Sequence, residues 1–533
     1  MLTQAYWPAD TDAAILDSTI AGILRDAATL APDRVALVAG AADPAARARW
    51  TYRQVAAEAE AAARSLAARF APGERVAVLA PGIPEFFVLS FAAAMARLVL
   101  VPMNPMLREP EIAHLLACSG AAGVFLVAQH RGNDVATTVA GLRARLPDVR
   151  EVVPFDEWPA LVDRGRADDR PLPAPAPDDV AQIVFTSGTT GAPKGAMLTH
   201  RGMCNAARLG GARFGLGPGD VYVNTIPLFH VGGQGLTFQI VQALATNVLV
   251  TQFDAGLHLE LLECERATHT VGVPTMWLAV MDHPDFAHRD LSALRSLSTG
   301  GAAVPAELIR RIERRLGVQT TIVFGQTEAC GFVSQTFPHD DPDDKASTVG
   351  RLLPRLDGRI VDPRRGGVVP VGAVGELQIR GFAVMNGYFD DPDATAATID
   401  ADGWLHTGDL ATMDGRGYLK VTGRLKDMIV TGGVNVYPAE LEAVIAGHPS
   451  VAAVAVLGLP NPKWGEAVVA VILPAGDEPP AAPELEAFAR ERLAPYKVPK
   501  RWVFVDELPV NASGKVQKFV LRDRLADDGH RSP

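Results

Sequence analysis

The chain has 533 residues, and its 50 Lys and Arg residues against 61 Asp and Glu residues give a formal net charge of −11. This excess of negative charge argues against a nucleic-acid partner, because it repels phosphate. A hydrophobic fraction of 48% with 21% charged residues excludes wholesale disorder. At roughly 150 residues per domain, the length predicts about three or four folding units.

Short β-branched runs alternate with alanine-rich stretches of helical spacing along the first half of the chain. Strands are predicted at residues 75–80, 180–185 and 248–251, and helices at residues 52–70 and 254–268. The alternation predicts an α/β fold, with a large N-terminal domain of mostly parallel sheets flanked by helices. A proline-rich segment at residues 171–179 is predicted to be a surface connector.

The most apolar stretch covers residues 86–103, FFVLSFAAAMARLVLVPM. Arg97 interrupts it and Pro102 ends it, short of the ~20 apolar residues that a membrane-spanning helix needs. We therefore expect a buried helix followed by a buried strand, and no transmembrane segment. The N-terminus also lacks the pattern of a secretory signal.

The cysteine pattern bears on the cellular compartment. The chain has four cysteines, far apart in the sequence and without metal-ligand spacing: Cys118, Cys204, Cys264 and Cys330. This pattern is typical of a protein that works in a reducing environment, so we expect a cytoplasmic location.

From residue 358 onward, the sequence pattern changes. GRIVD, GELQIRG and GYLKVTGR are short strands separated by turn residues, which predicts a β-rich subdomain over about residues 350–423.

A small C-terminal α+β domain is predicted after Arg424. It begins with a predicted helix at residues 438–448, followed by strands at residues 451–458 and 467–473. The proline-rich residues 474–484 are predicted to be a second connector.

A loop rich in glycine and hydroxyl residues, TSGTTGAPKG, occupies residues 186–195, directly after the strand predicted at residues 180–185. Its glycines permit tight turns, its Ser and Thr residues donate hydrogen bonds, and Lys194 adds a mobile positive charge. These groups suit a polyphosphate. The spacing is not that of a Walker A loop, because no GKS or GKT closes it.

Further motifs follow this loop along the chain. They are PLFHVGG (227–233), STGGA (298–302), FGQTE (324–328), GELQIRG (375–381), TGD (407–409), GRLKDMI (423–429) with two glycines at 432–433, and NASGK (511–515). With these motifs the chain resembles the AMP-forming adenylating enzymes, which include acyl-CoA synthetases, adenylation domains of peptide synthetases and beetle luciferases. Within this superfamily it looks most similar to the fatty-acid or aryl-acid CoA ligases.

The resemblance covers nearly the whole chain and implies its domain organisation. Residues 1–423 are expected to form the adenylate-forming N-terminal domain, and residues 427–533 a mobile C-terminal domain. The hinge between them is expected at residues 424–426, with Lys426 as the hinge residue. Such a residue must tolerate large changes of backbone angle.

The resemblance also implies a site for ATP and Mg²⁺. The implied nucleotide-binding residues are Thr186, Ser187, Gly188, Thr189, Thr190, Lys194, Gly300, Gly301, Ala302, Phe324, Gly325, Gln326, Thr327, Asp409 and Arg424. Glu328 is the expected metal ligand, since Mg²⁺ on phosphates usually takes one or two carboxylates from a protein. Asp409 suits two ribose hydroxyls, and Arg424 shares that contact by resemblance. Phe324 stands where the family usually has Tyr, so an adenine can stack there without a phenol hydrogen bond.

The expected catalytic residues are Lys515, Glu328, Thr186 and His230. A cation such as Lys515 relieves the repulsion between a carboxylate and an anionic α-phosphate. In the second step Lys515 is expected to withdraw, while Gly432 and Gly433 leave room for the pantetheine arm of CoA. Trp464 matches a position that stacks on the CoA adenine in relatives, and Lys497, Lys500 and Arg501 are candidates for its phosphates.

The acyl pocket is expected at the PLFHVGG motif, where the resemblance makes His230 a gate. The candidate pocket residues are His230, Val231, Gly232, Trp277, Ala302, Val323, Cys330 and Gly331. Amino-acid-activating relatives generally carry an aspartate where this chain has Val231. An ammonium group beside Val231 would lack a partner, so we expect an apolar acid, fatty or aryl.

The leading hypothesis is an ATP-dependent, AMP-forming carboxylic acid–CoA ligase. An alternative is an acyl-AMP ligase that loads a carrier-protein thiol; such enzymes typically carry an insertion, which residues 409–433 lack. A non-catalytic nucleotide-binding module is disfavoured because Lys194, Glu328, Asp409 and Lys515 are all present, and luciferase-like oxidation needs a special substrate. The sequence leaves open whether the protein is a monomer or a homodimer.

Overall fold

The computed structural model describes residues 2–186, 193–300, 304, 306–431, 434–461, 464–476, 479–510 and 516–528. The helices are α1 (Ile20–Leu30), α2 (Tyr52–Ala67), α3 (Pro84–Met95), α4 (Glu109–Ser119), α5 (Val135–Leu142), α6 (Trp158–Arg166), α7 (His200–Phe214), α8 (Val231–Gln242), α9 (Ala255–Cys264), α10 (Pro274–Asp282), α11 (Ala306–Leu316), α12 (Pro342–Ser347), α13 (Pro392–Thr398), α14 (Pro438–Ile445), α15 (Ala482–Arg490) and α16 (Lys518–Asp528).

The strands are β1 (Tyr6–Trp7), β2 (Val35–Ala39), β3 (Arg49–Thr51), β4 (Arg75–Leu79), β5 (Val99–Met103), β6 (Ala121–Leu126), β7 (Gln129–His130), β8 (Asn133–Asp134), β9 (Glu151–Pro154), β10 (Val180–Thr186), β11 (Lys194–Thr199), β12 (Val221–Asn224), β13 (Thr246–Leu249), β14 (His269–Val271), β15 (Ser296–Gly300), β16 (Gln319–Phe324), β17 (Ser334–Gln335), β18 (Arg351–Leu352), β19 (Leu356–Val361), β20 (Gly375–Gly381), β21 (Leu405–Met413), β22 (Leu419–Arg424), β23 (Ile429–Thr431), β24 (Val434–Val436), β25 (Val451–Asn461), β26 (Gly465–Pro474) and β27 (Arg501–Phe504).

Two large sheets form the framework of the N-terminal part. One has the strand order β11-β10-β5-β4-β6-β9, and the other the order β18-β17-β16-β15-β14-β12-β13-β2-β3. Their central strands pair in parallel. Antiparallel strands close both edges of the nine-stranded sheet and the β11 edge of the six-stranded sheet, whose other edge strand, β9, is parallel to β6. The predicted α/β fold with mostly parallel sheets is thereby confirmed.

The hydrophobic residues of the central strands alternate between the two faces of their sheet. In β4, Val76 and Val78 belong to one hydrophobic cluster and Ala77 and Leu79 to another. The first cluster also contains Tyr222 from β12 of the second sheet, so it lies between the two sheets. Burial on both faces explains why these strands are continuously apolar in sequence.

The apolar residues 86–103 form α3 and β5, as predicted. Each residue from 86 to 95 is buried, and Arg97 makes the turn between helix and strand with a φ of 57°. Among the helices of the described residues, none combines the length and apolarity needed to span a bilayer.

A third sheet of antiparallel strands has the order β1-β19-β20-β21-β22, in agreement with the predicted β-rich subdomain. Its edge strand β1 comes from the N-terminus, with Tyr6 opposite Arg359. This pairing could not be predicted from the sequence, because a two-residue strand carries no periodicity.

The fourth sheet is C-terminal and has the order β24-β23-β26-β25, with β27 parallel to β26. The predicted helix and the two predicted strands are present as α14, β25 and β26. Residues 474–484 are only partly a connector, which corrects the prediction: α15 already begins at Ala482, with a proline in its first turn. Proline is tolerated there because the first amide groups of a helix have no helical partner. The proposed domain boundaries and hinge remain predictions.

Candidate active site

The phosphate loop connects two paired strands. Thr186, the last residue of β10, lies opposite Lys194, the first residue of β11, in an antiparallel pair. The two ends of the motif are therefore held together by the sheet. The middle of the motif, with the predicted phosphate-binding residues Ser187, Gly188, Thr189 and Thr190, lies outside the described residues.

Glu328 lies beside this hairpin. It belongs to a short 3₁₀ helix, Thr327–Ala329, and its Oε1 accepts hydrogen bonds from the hydroxyl of Tyr388 at 2.9 Å and from Oγ1 of Thr186 at 3.4 Å. The structure thus brings together two predicted site residues and adds Tyr388. A carboxylate next to a hydroxyl offers the oxygen ligands that a hard divalent cation prefers. The residues present therefore fit Mg²⁺.

Tyr388 also contacts the lysine of the phosphate loop. The Nζ atom of Lys194 lies 5.3 Å from the centroid of the Tyr388 ring, within the range of a cation–π interaction. Nothing in the local sequence assigns chemistry to Tyr388. Its role arises from a contact with a residue 60 positions away in the chain.

Asp409 and Arg424 are direct cross-strand partners on β21 and β22. The Nε of Arg424 lies 2.6 Å from Oδ1 of Asp409, whose side chain is 3% exposed. The backbone N–H of Asp409 donates to Oγ1 of Thr407 at 3.1 Å, and that hydroxyl donates to the carbonyl of Leu377. The two residues predicted to share the ribose contact are therefore adjacent.

A bulge in β21 carries Asp409. The register of β20 and β21 pairs Glu376 with Leu410 but Gln378 with His406, so β21 has two extra residues between these pairs. The buried carboxylate of Glu376 accepts hydrogen bonds from groups at the bulge. It accepts from the backbone N–H of Gly408 at 3.2 Å, and from His406 and Gln378 at 2.9 and 3.1 Å. Bulges of this kind commonly lie next to active sites, yet no motif in the sequence points to Glu376 as a site residue.

Two glycines predicted to bind the nucleotide, Gly300 and Gly325, lie at the carboxyl ends of parallel strands, where ligands bind in open α/β sheets. Gly300 ends β15 and pairs with Val323 of β16. A Cβ atom on Gly300 would lie 2.3 Å from the carbonyl oxygen of Val323, and one on Gly325 would lie 1.8 Å from that of Gly331. Both positions therefore require glycine. Gly301 and Ala302 lie outside the described residues.

Phe324, Gln326 and Thr327 form the turn that follows β16. The carbonyl of Phe324 accepts from the N–H of Val333, and the carbonyl of Gln326 accepts from the N–H of Gly331 at 3.0 Å. These bonds fold the chain back on itself directly after the strand. The turn therefore fixes the position of Glu328 relative to the sheet.

His230 is the N-cap residue of α8, six residues after β12 ends. Its Nδ1 accepts from the backbone N–H of Gly232 at 3.2 Å. The ring is accessible to solvent, yet desolvation by the surrounding protein lowers the pKa of His230. A pKa below the ordinary value of 6.5 keeps the imidazole neutral at pH 7.

Val231 and Gly331 are neighbours, since a Cβ on Gly331 would lie 3.4 Å from Cγ2 of Val231. The thiol of Cys330 is buried against α7, and burial raises its pKa to about 12. Val231 and Cys330 belong to the hydrophobic cluster between the two large sheets.

Trp277 is not close to these pocket residues. It belongs to the hydrophobic cluster on the other face of the nine-stranded sheet, together with Val223, and its Nε1 donates to the carbonyl of Gly272 at 3.1 Å. The indole fills the space above Gly272 and is 1% exposed. This placement argues against the predicted role of Trp277 in the acyl pocket.

The described C-terminal candidates lie at the surface. Lys426 is exposed in a short 3₁₀ helix, Leu425–Asp427, and Trp464 is 42% exposed between β25 and β26. Lys497 forms an ion pair with Glu440 at 2.5 Å, which weakens its candidacy for CoA phosphates. Lys500 donates to a backbone carbonyl, and Arg501 is exposed at the start of β27. Gly432, Gly433 and Lys515 lie outside the described residues.

Comparison with known proteins identifies the family. The family model of the AMP-binding enzymes matches residues 24–389, and that of the AMP-binding enzyme C-terminal domain matches residues 440–515. The chain belongs to the AMP-binding enzyme family. This finding confirms the resemblance inferred from the motifs.

Relatives of this AMP-binding enzyme include two curated proteins and a solved structure. A feruloyl-CoA synthase of Amycolatopsis is 40% identical over 89% of this chain and 94% of its own. The medium-chain acyl-CoA ligase ACSF2 of Macaca fascicularis, a mitochondrial protein, is 32% identical over 96% of this chain and 88% of its own. The ATP-bound crystal structure of MatB from Rhodopseudomonas palustris superimposes with a TM-score of 0.87 at 28% identity, covering 96% of this chain and 100% of MatB.

Proposed function

We propose that this AMP-forming acid–CoA ligase activates an apolar carboxylic acid, aliphatic or aromatic, with ATP and Mg²⁺ and passes the acyl group to CoA. The observation that carries the proposal is the position of the Glu328 carboxylate, which contacts Thr186 at one end of the phosphate loop. Lys194 lies opposite Thr186 at the other end. One anionic and one cationic side chain are thus presented to the same polyphosphate.

In the first step, an oxygen of the acid's carboxylate attacks the α-phosphorus of ATP. An O–P bond forms, the bond to the bridging oxygen of the β-phosphate breaks, and pyrophosphate leaves. Lys194 and Lys515 neutralise the charge that develops on the phosphates. Asp409 and Arg424 hold the ribose. Mg²⁺, held by Glu328, would supply further charge neutralisation when bound.

In the second step, the sulfur of CoA, after losing its proton to solvent, attacks the acyl carbonyl. A C–S bond forms, the C–O bond to the phosphate breaks, and AMP leaves. His230 is proposed to lie at the acyl end, and its lowered pKa keeps it neutral at pH 7, so it adds no charge to the path of the thiol. Gly432, Gly433 and Trp464 are proposed to receive the pantetheine arm and the adenine of CoA.

The proposed acid is apolar because the candidate pocket offers it no charged partner. Apart from His230, the described residues proposed for this pocket are uncharged: Val231, Gly232, Val323, Cys330 and Gly331. The names of the relatives, a feruloyl-CoA synthase and a medium-chain acyl-CoA ligase, support the same class of acid.

All four cysteines are free thiols, which supports a reducing compartment such as the cytoplasm.

An ATP–pyrophosphate exchange assay with a panel of fatty and aryl acids tests the proposal. We expect exchange with at least one apolar acid, dependence on Mg²⁺, and thioester formation when CoA is added. Exchange only with amino acids, or with no acid, would contradict the proposal. Transfer to a carrier protein but not to CoA would favour the acyl-AMP ligase alternative.

A further inference from the structure

The segment Met385–Phe389 runs along strand β11 and reaches Glu328. The N–H of Phe389 donates to the carbonyl of Gly195 at 2.8 Å, and the N–H of Met197 donates to the carbonyl of Gly387 at 2.9 Å. At the start of the segment, the N–H of Met385 donates to the backbone carbonyl of Glu328 at 2.9 Å. The segment therefore joins the strand that leaves the phosphate loop to the loop that carries Glu328.

Tyr388 is the residue of this segment whose side chain enters the site. It is 8% exposed, and its hydroxyl donates to Oε1 of Glu328 at 2.9 Å. The hydroxyl of Thr186 donates to the same oxygen at 3.4 Å. Within the described residues, Oε2 of Glu328 accepts no hydrogen bond. One oxygen of the carboxylate is thus held by the protein, and the other remains for a cation.

The ring of Tyr388 also lies close to a second charged side chain of the site. The face of the same ring lies 5.3 Å from Nζ of Lys194. A single side chain thus contacts both charged groups of the phosphate end.

We propose that Tyr388 is a positioning residue for nucleotide activation, which orients the Glu328 carboxylate toward the metal and the Lys194 ammonium toward the phosphates. The inference rests on the proposed function of Glu328 and Lys194. A tyrosine suits this task because its rigid ring delivers a hydroxyl to one charge and a π face to the other.

Tyr388→Phe tests the proposal, because it removes the hydroxyl and keeps the ring. A hydrogen bond to a charged group is lost, so we expect the Mg²⁺ concentration for half-maximal adenylation to rise roughly tenfold. Thioester formation from supplied acyl-AMP should stay within about twofold of wild type. A readout independent of activity is Mn²⁺ binding in the presence of a non-hydrolysable ATP analogue, followed by water proton relaxation, and its affinity should fall by a similar factor.

Tyr418→Phe is the matched control. The hydroxyl of Tyr418 donates to Oδ1 of Asp340 at 2.6 Å, so the same bond type is lost at a place that holds no proposed site residue. We expect a lower melting temperature and an unchanged Mg²⁺ and Mn²⁺ dependence for this variant.

Two results would overturn the proposal for Tyr388. One is a wild-type Mn²⁺ affinity in Tyr388→Phe, and the other is an equal change in both tyrosine variants, which would show a general loss of stability. If the wild-type protein binds Mn²⁺ and the analogue but activates no acid, the proposed function fails. The Mn²⁺ comparison still decides the role of Tyr388 in that case.

Discussion

An ion pair can determine what a charged residue of the site is able to do. Asp409 is the clearest case, because its carboxylate is nearly inaccessible and lies 2.6 Å from Arg424. Arg424 is half exposed and holds the carboxylate in one orientation. A rigid acceptor of this kind distinguishes a ribose, with two adjacent hydroxyls, from a phosphate.

Asp409→Asn is expected to weaken ATP binding roughly tenfold or more, because a charged acceptor becomes neutral and its amide also opposes Arg424. The measurement is calorimetric titration with a non-hydrolysable ATP analogue. Asp414→Asn is the control, since Asp414 accepts from Nε of Arg416 at 2.9 Å at the surface and holds no proposed ligand. Equal affinities of Asp409→Asn and wild type would contradict the ribose role.

Proximity between residues of the motifs agrees with the sequence analysis, whereas contacts with residues outside the motifs could not be predicted. Thr186 lies beside Glu328 and Asp409 beside Arg424, and the chemical roles of these four residues stay predictions. Tyr388 escaped notice because its partner lies 60 positions away.

Trp277 shows the opposite error, since a large apolar residue fits a ligand pocket and a protein core equally well. Only the packing of α10 against the nine-stranded sheet shows that Trp277 belongs to the protein core.

Sequence periodicity predicted the sheets and their burial reliably, because alternation of strands and helices is a property of the whole segment. It could not predict which side chains meet across sheets.

At the scale of elements, the irregular part of β21 depends on contacts from a neighbouring strand. The bulge that presents Asp409 depends on one buried carboxylate, Glu376, which accepts from Gly408, His406 and Gln378. Gly408 has a φ of +67°, a left-handed conformation that favours glycine. The two extra residues interrupt the backbone hydrogen bonds between β20 and β21. The turn at Gly408 and the carboxylate of Glu376 compensate for this interruption.

Glu376→Ala should lower the free energy of unfolding by about 2 kcal/mol or more, because buried donors lose their acceptor. It should also raise the KM for ATP, since the backbone at Gly408 directly precedes Asp409. Urea unfolding and steady-state kinetics measure the two effects. Glu491→Ala, at an exposed ion pair with Arg492, should change neither by a measurable amount. A variant that loses stability but keeps its KM for ATP would show that the bulge is held by other contacts.

At the scale of the molecule, buried neutral histidines make stability depend on pH. Burial lowers the pKa of His200 and of His258 to about 4, from an ordinary value of 6.5. As the pH falls, the unfolded chain takes up these protons first. The stability contributed by each histidine is therefore present above pH 6.5 and is lost between about pH 6.5 and pH 4. The loss is roughly 3 to 4 kcal/mol each at most, since one pKa unit corresponds to about 1.36 kcal/mol.

His258→Gln should therefore be less sensitive to acid than wild type, even if it is less stable at neutral pH. The measurement is the urea midpoint at several values between about pH 7 and pH 4.5. His288→Gln replaces an exposed histidine and should leave the pH dependence as in wild type. An unchanged slope in His258→Gln would show that the pKa of His258 is the same in the folded and the unfolded protein.

The two chemical steps make different demands on the whole molecule, and Lys515 separates them. During adenylation, two anionic reactants approach each other, so removal of a cation between them should be costly. During thioester formation, the attacked carbonyl is uncharged and a cation there has no such task. We expect Lys515→Ala to reduce pyrophosphate exchange by roughly a hundredfold or more. Thioester formation from supplied acyl-AMP should stay within about fivefold of wild type.

The comparison between half-reactions gives this last prediction its strength, because a misfolded variant would lose both. Lys420→Ala removes an exposed lysine from β22 outside the motifs and should leave both half-reactions unchanged. An equal loss of both steps in folded Lys515→Ala would mean that the lysine stays in one place throughout the cycle. In that case a single arrangement of the C-terminal part would have to serve both reactions, and the expected hinge at Lys426 would have no chemical reason to move.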